Sequence, residues 1–295
     1  MTLPREIIPG RFYMVTRRCT QRQLLLRPDE RTNNAFLYCL AEAAQRFDID
    51  VLLPCAMSNH HHTVVFDRHG RLPAFTEHFH KLLAKCQNAL RGRWENLWSC
   101  EQVCIVRLVD PDDVLRKLVY AATNPVKDHL VERVHHWPGV NGLTALLAQR
   151  PLHAIRPRHF FRADGTMPEA VTLHLVLPLE LGDPESFRAE LRRQVEAAEA
   201  AVAAERRRTG AGIVGRRAIL RQSWRASPTS QEPRRQLRPR LAARSQWARI
   251  EAVLRNRQFL AAYREARERW IAGELIGFPI GTYWLRRFAY VPLAA

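Results

Sequence analysis

Apolar positions along the chain recur first with a period of two and then with a helical period, and the two textures alternate. Arg11-Phe12-Tyr13-Met14-Val15-Thr16 predicts a first strand, followed by a basic, polar turn at Arg17-Arg18-Cys19-Thr20-Gln21-Arg22. Asp29 and Thr32 offer caps for a helix to about residue 47, with Phe36, Leu37, Leu40 and Ala44 at helical spacing. Residues 51–66 predict a second strand region, bent or broken at Pro54 and ending in a run of histidines. Residues 73–91 predict a second amphipathic helix. Phe75, Phe79, Leu82, Leu83, Cys86 and Leu90 share its apolar face, and Lys81, Lys85, Asn88 and Arg91 lie off it. Residues 103–108 form a third strand. Asp110-Pro111-Asp112-Asp113 then opens a helix, with acidic groups that suit its dipole. It is expected to stop near Asn124-Pro125, because a residue before proline avoids helical geometry.

The texture changes after about residue 151. Residues 172–177 read as a short strand, and Asp183-Pro184-Glu185-Ser186 caps a long helix that ends at Gly210. Residues 224–240 are dense in proline, serine and arginine and read as an extended linker. A further helix spans 245–272, with Ile250, Val253, Leu254, Leu260, Tyr263 and Trp270 as its expected apolar stripe. The segment Phe278-Pro279-Ile280-Gly281-Thr282-Tyr283-Trp284-Leu285 reads as a turn into a final strand. The alternation of strands and helices in 1–150 predicts an α+β domain, an antiparallel sheet with helices packed on it. Residues 151–295 predict a mainly helical, arginine-rich extension.

A chain of 295 residues with 46% hydrophobic content can bury a full core, which excludes wholesale disorder. No apolar run reaches the length of a membrane span, and the first residues lack the apolar core of a secretory signal. The expected compartment is the cytoplasm. Cys19, Cys39, Cys55, Cys86, Cys100 and Cys104 then read as reduced residues. Cys100 and Cys104 lie four apart, but no second pair completes a zinc site. The net charge of +17 changes the picture most. Only Lys81, Lys85, Lys117 and Lys127 are lysines, which GC-rich coding would explain. Coding bias does not explain the excess over carboxylates, so a nucleic-acid partner is expected.

In Met57-Ser58-Asn59-His60-His61-His62-Thr63-Val64-Val65-Phe66, a strand over 60–65 would project His60 and His62 from one face and His61 from the other. Two imidazoles a pleat apart can grip one metal ion. Three adjacent histidines are equally an ordinary surface feature or a weak adventitious site. The apolar context favours a site, because buried polar groups need partners. Tyr120 and Asn124, four apart, face one side of a helix end. A helix tyrosine is more often a packing residue than a nucleophile.

Together these segments resemble the REP-associated tyrosine transposases, a branch of the single-tyrosine HUH transposases. The resemblance lies in Tyr13-Met14-Val15-Thr16-Arg17-Arg18, in Ala56-Met57-Ser58-Asn59-His60-His61-His62, and in Tyr120-Ala121-Ala122-Thr123-Asn124-Pro125-Val126-Lys127. It covers roughly residues 8–142 and implies a ferredoxin-like HUH palm. It also implies a metal-dependent strand transferase acting on single-stranded or hairpin DNA. His60, His62 and Asn124 would hold Mg²⁺ or Mn²⁺, and Tyr120 would attack phosphorus to give a 5′-phosphotyrosine. Arg17, Arg18, Lys81, Lys85, Arg91 and Lys127 are the candidate DNA-backbone contacts. Neither a nucleotide cofactor nor a membrane is implied, and the compartment would be the bacterial nucleoid. A monomer and a homodimer are both compatible.

The chain departs from the family pattern at three places. Ser58 stands where proline is usual, His61 where an aliphatic residue packs under the sheet, and Lys127-Asp128-His129 where Arg-Ala-Gly is usual. The alternative function is a domesticated protein that binds hairpin DNA, or RNA, without cutting it.

Overall fold

Phe12 and Met14 alternate with Tyr13 and Val15, so the first strand has two apolar faces and must be covered on both. In a computed structural model, which describes residues 3–230 and 239–294, that strand is β1 (Arg11–Arg18) and it lies inside a five-stranded sheet. The elements that follow are α1 (Glu30–Phe47), β2 (Ile49–Ala56), β3 (His60–Asp67), α2 (Leu72–Arg91), β4 (Cys104–Leu108) and α3 (Pro111–Lys127). The strand order β2-β3-β1-β4 is antiparallel throughout. With its β-α-β-β-α-β connection this is a ferredoxin-like layout.

The two faces of the sheet collect different helices. Tyr13, Val15, Val65 and Ile105 pack with α1 and α2, while Phe12, Met14, Val64, Phe66, Val106 and Leu108 pack with α3. The second face carries the site. The Asp29 side chain accepts from the Thr32 amide and starts α1. Asp110 and Asp113 form a capping box that starts α3.

The remaining elements are α4 (Leu143–Leu147), β5 (Leu152–Ile155), β6 (Ala170–Leu173), α5 (Pro184–Thr209), α6 (Arg216–Arg221), β7 (Leu241–Ala242), α7 (Gln246–Ile271) and α8 (Trp284–Phe288). β5 and β6 form a hairpin against α1, joined to it by two hydrogen bonds between Asn34 and the Ile155 backbone, 2.8 and 2.9 Å. α5 buries Leu191 and Val195 in the core beneath α3. β7 adds to the sheet in parallel beside β4.

Several expectations differ from the structure. Residues 51–66 form two strands, but the break does not fall at Pro54. The break falls at Ser58 and Asn59, where the Met57 amide bonds to the His60 carbonyl at 2.8 Å. Pro54 stays within β2, an edge strand, where proline is tolerated. α3 continues through Pro125 to Lys127. Val126 is fully buried, and the Asn141 amide donates to the Ala122 carbonyl at 2.9 Å, so packing and a side-chain bond hold the last turn. In the tail, Trp284 and Phe288 stack at helical spacing in α8 instead of forming a strand. On α7 the buried positions are Ala252, Phe259 and Ala266, whereas Ile250, Leu254 and Trp270 are exposed. Of the expected linker 224–240, residues 231–238 lie outside the described residues. All six cysteines are free thiols. Among the described residues no helix is long and apolar enough to cross a membrane.

Candidate active site

The β1–β3 register sets Thr16 opposite His62 and Arg18 opposite His60. All four therefore project from the face covered by α3. The His60 and His62 rings lie 4.9 Å apart between centroids. The Tyr120 ring, one helical turn before Asn124 on α3, meets His62 edge-on at 5.3 Å. Asn124 Nδ2 lies 3.5 Å from His62 Nε2. The fold thus brings His60, His62, Tyr120 and Asn124 to one place.

The hydrogen bonds around His62 agree on one tautomer. Nδ1 lies 2.8 Å from the Thr16 hydroxyl, and Nε2 faces the Asn124 amide nitrogen, which is a donor. Both contacts are met if Nδ1 carries the proton and Nε2 presents its lone pair. Burial, then the neighbouring His60, His61, Lys117 and Arg18, hold the His62 pKa well below the usual imidazole value. The ring is neutral at physiological pH, the form that ligates metals. His60 Nδ1 lies 2.7 Å from Asn59 Oδ1. Asn124 is buried, yet its Oδ1 accepts no hydrogen bond.

Two imidazole nitrogens and one unsatisfied amide oxygen are a donor set that suits a divalent first-row metal. Among the described residues, no three His, Cys, Asp or Glu side chains converge on one point.

Tyr120 is partly exposed, at 38%. Burial raises its pKa, helped by Asp128, while Arg18 and a hydrogen bond with Asn124 act the other way. Lys117 and Lys127 each place an ammonium 5.4 Å from the centre of its ring. Burial and repulsion from Lys117 lower the Lys127 pKa.

His61 points to the opposite face. Its Nδ1 lies 3.0 Å from the Thr63 hydroxyl and its Nε2 lies 2.9 Å from His80 Nε2. Phe36, Phe79 and Trp98 surround it edge-on. The buried imidazole thus has the partners that an aliphatic residue would not need. If His80 Nε2–H donates to His61, the unpartnered His80 Nδ1 is a lone pair rather than a buried N–H.

Of the expected DNA contacts, Arg18 and Lys127 lie with the site. Arg17 projects from the α1–α2 face, half-buried over the Trp98 ring at 5.3 Å. Lys81 and Lys85 are exposed on α2, also across the sheet from Tyr120. Arg91 is engaged by Asp29 at 3.0 Å and by the Thr32 hydroxyl at 2.8 Å. Those four are not brought to Tyr120.

Sequence reasoning missed Thr16 as the residue that orients His62, because its role depends on strand register. It also missed Lys117, although the spacing of three before Tyr120 places both on one helix face.

No protein-family model matches the chain, and no curated protein matches its sequence. Among solved structures, the chain is similar to a REP-associated tyrosine transposase bound to a REP hairpin. The identity is 15%, with 57% of this chain and 97% of that chain covered and a TM-score of 0.43.

Proposed function

We propose that this protein cuts and rejoins single-stranded DNA at hairpin or palindromic repeats through a covalent 5′-phosphotyrosine on Tyr120. The observation that carries this is the edge contact of the Tyr120 ring with His62, whose Nε2 lone pair faces Asn124. A partly exposed phenol beside the neutral His62 imidazole and an unsatisfied amide oxygen is an arrangement suited to phosphoryl transfer.

His60, His62 and Asn124 would hold a divalent cation. When bound, it would offset negative charge developing on the non-bridging phosphate oxygens. The imidazole-rich donor set favours Mn²⁺ over Mg²⁺, which prefers oxygen ligands. Tyr120 Oη would form its bond to phosphorus as the bond to the 3′-oxygen breaks. The phenolic proton would balance the charge on the released 3′-hydroxyl. Phosphodiester energy is retained in the phosphotyrosine, so rejoining by a 3′-hydroxyl needs no nucleotide cofactor. Arg18 and the hydrogen bond with Asn124 favour the phenolate, which burial and Asp128 disfavour.

The test is a denaturing gel with hairpin oligonucleotides taken from repeats flanking the gene, in the presence of Mn²⁺. A covalent protein–DNA adduct is expected with the native chain and none with Tyr120→Phe. Tight hairpin binding without an adduct across the panel would establish instead a binding protein that no longer cuts.

A further inference from the structure

Beside Tyr120 lies a cleft of about 770 Å³ whose two walls come from segments far apart in the chain. α3 supplies Arg116, Lys117 and Lys127. The arm that carries β7 and α7 supplies Arg240, just before β7, and Arg249 and Arg257 of α7. Tyr120 lies at the boundary between this cleft and the histidine pair.

The arm is fixed to the sheet and to α3. The Arg107 amide donates to the Arg240 carbonyl at 2.9 Å and the Val109 amide to the Ala242 carbonyl at 3.2 Å. The Arg244 amide donates to Asp113 Oδ1 at 2.9 Å. Arg255 on α7 pairs with Glu6 of the N-terminal segment at 3.0 Å. These bonds hold the three arm arginines opposite α3.

The charges in the cleft do not cancel. Among the described residues, Asp113 is its sole carboxylate, and both of its oxygens are occupied by the Arg244 and Asp110 amides. Six cations are therefore gathered around one carboxylate. Burial and repulsion from Arg116 lower the pKa of Lys117. A concave, one-sign surface of this kind concentrates a polyanion.

We propose that this cleft is a phosphate-binding channel that leads the backbone of single-stranded DNA to Tyr120, and that the C-terminal arm is one of its two walls. The direction toward Tyr120 rests on the strand-transfer reading above; the binding of DNA phosphates does not. The arrangement also gives the C-terminal third of the chain a role in substrate binding.

The test uses the full-length protein and a labelled oligothymidylate of about 20 nucleotides, followed by fluorescence anisotropy between about 50 and 200 mM salt. Arg249 and Arg257 are exposed, so Arg249→Ala/Arg257→Ala spares the core. Each lost phosphate contact on a single strand removes roughly 0.7 from the magnitude of the log–log salt slope. The double variant is expected to lose roughly 1.4 in slope and roughly ten-fold in affinity. Arg192→Ala/Arg207→Ala on α5 removes the same charge away from the cleft and is expected to bind as the native chain does.

An unchanged slope in the cleft variant overturns the proposal. So does an equal loss in the α5 variant, which would point to the overall charge. Ten-fold tighter binding of an oligouridylate of the same length would assign the channel to RNA and overturn it too. A native chain that shows the cleft-dependent slope but never forms an adduct loses the Tyr120 chemistry and keeps the channel. One that forms the adduct with no cleft dependence loses only the channel.

Discussion

Thr16 and His62 face each other across the β1–β3 ladder, with the threonine hydroxyl 2.8 Å from His62 Nδ1. A hydrogen bond at that nitrogen decides which nitrogen is left to bind a metal or substrate.

Thr16→Val removes this bond with almost no change in shape. We expect Mn²⁺ affinity, measured by isothermal calorimetry, to fall roughly 10- to 100-fold, the usual effect of losing such an orienting partner. Stability should fall by only about 1 kcal/mol. Native-like Mn²⁺ affinity in this variant would remove Thr16 from the site.

Asn124 is the second test of the donor set, because its buried Oδ1 has no partner. Asn124→Asp places an anionic oxygen where a neutral one stands and is expected to tighten Mn²⁺ binding several-fold. Asn124→Ala removes the oxygen and should weaken binding by a comparable or larger factor. Equal Mn²⁺ affinity in all three proteins, by calorimetry or by paramagnetic line broadening, means that the ion sits elsewhere.

The loop that follows α3 braces the strand end beside the histidines. Trp137 Nε1 donates to the Ala56 carbonyl at 3.0 Å. A Cβ at Gly139 would approach Trp137 Nε1 to 2.5 Å and the Ala56 carbonyl oxygen to 3.0 Å. Gly139→Ala must therefore displace the indole or the end of β2. We expect a loss of about 1–3 kcal/mol in urea denaturation, typical of overpacking. A variant as stable as the native chain would show that this loop moves freely.

The parts of this molecule that were legible in its sequence are those set by local chemistry. Caps at Asp29, Asp183 and Ser245 mark helices that the structure contains. Alternation placed His60 and His62 together, and helical spacing placed Tyr120 with Asn124. The β2–β3 turn was not legible. Ser58 and Asn59 carry no glycine or positive φ, and the turn is held by the Cys19 and Leu26 amides bonding to the Asn59 and Ser58 carbonyls. Thr16 required the strand register. Arg240, Arg249 and Arg257 reach α3 through the pairing of β7 with β4 and the Arg244–Asp113 bond, contacts between segments far apart in the chain. On α7, alanines rather than large apolar residues fill most of the buried positions, so the periodicity of large residues pointed to the wrong face.

The His61–His80 pair makes stability depend on pH. Burial, then His60 and Arg17, lower the His61 pKa to about 3, and burial with His61 and Arg17 holds His80 well below its ordinary value. In the unfolded chain both imidazoles titrate near 6.5. Above that pH neither state is protonated and the pair has no effect. As pH falls below it, the unfolded state takes up protons that the folded state refuses, so stability declines toward acid. The decline is at most about 1.4 kcal/mol per pH unit for each imidazole. His61→Leu alone leaves His80 Nε2 without its partner and should cost about 1–3 kcal/mol at pH 8. His61→Leu/His80→Leu removes both polar partners and is expected to lose much less stability between about pH 8 and 5.5 than the native chain does. Urea midpoints at the two pH values measure this. Parallel losses in the native chain and the double variant would mean that the acid sensitivity arises from other groups.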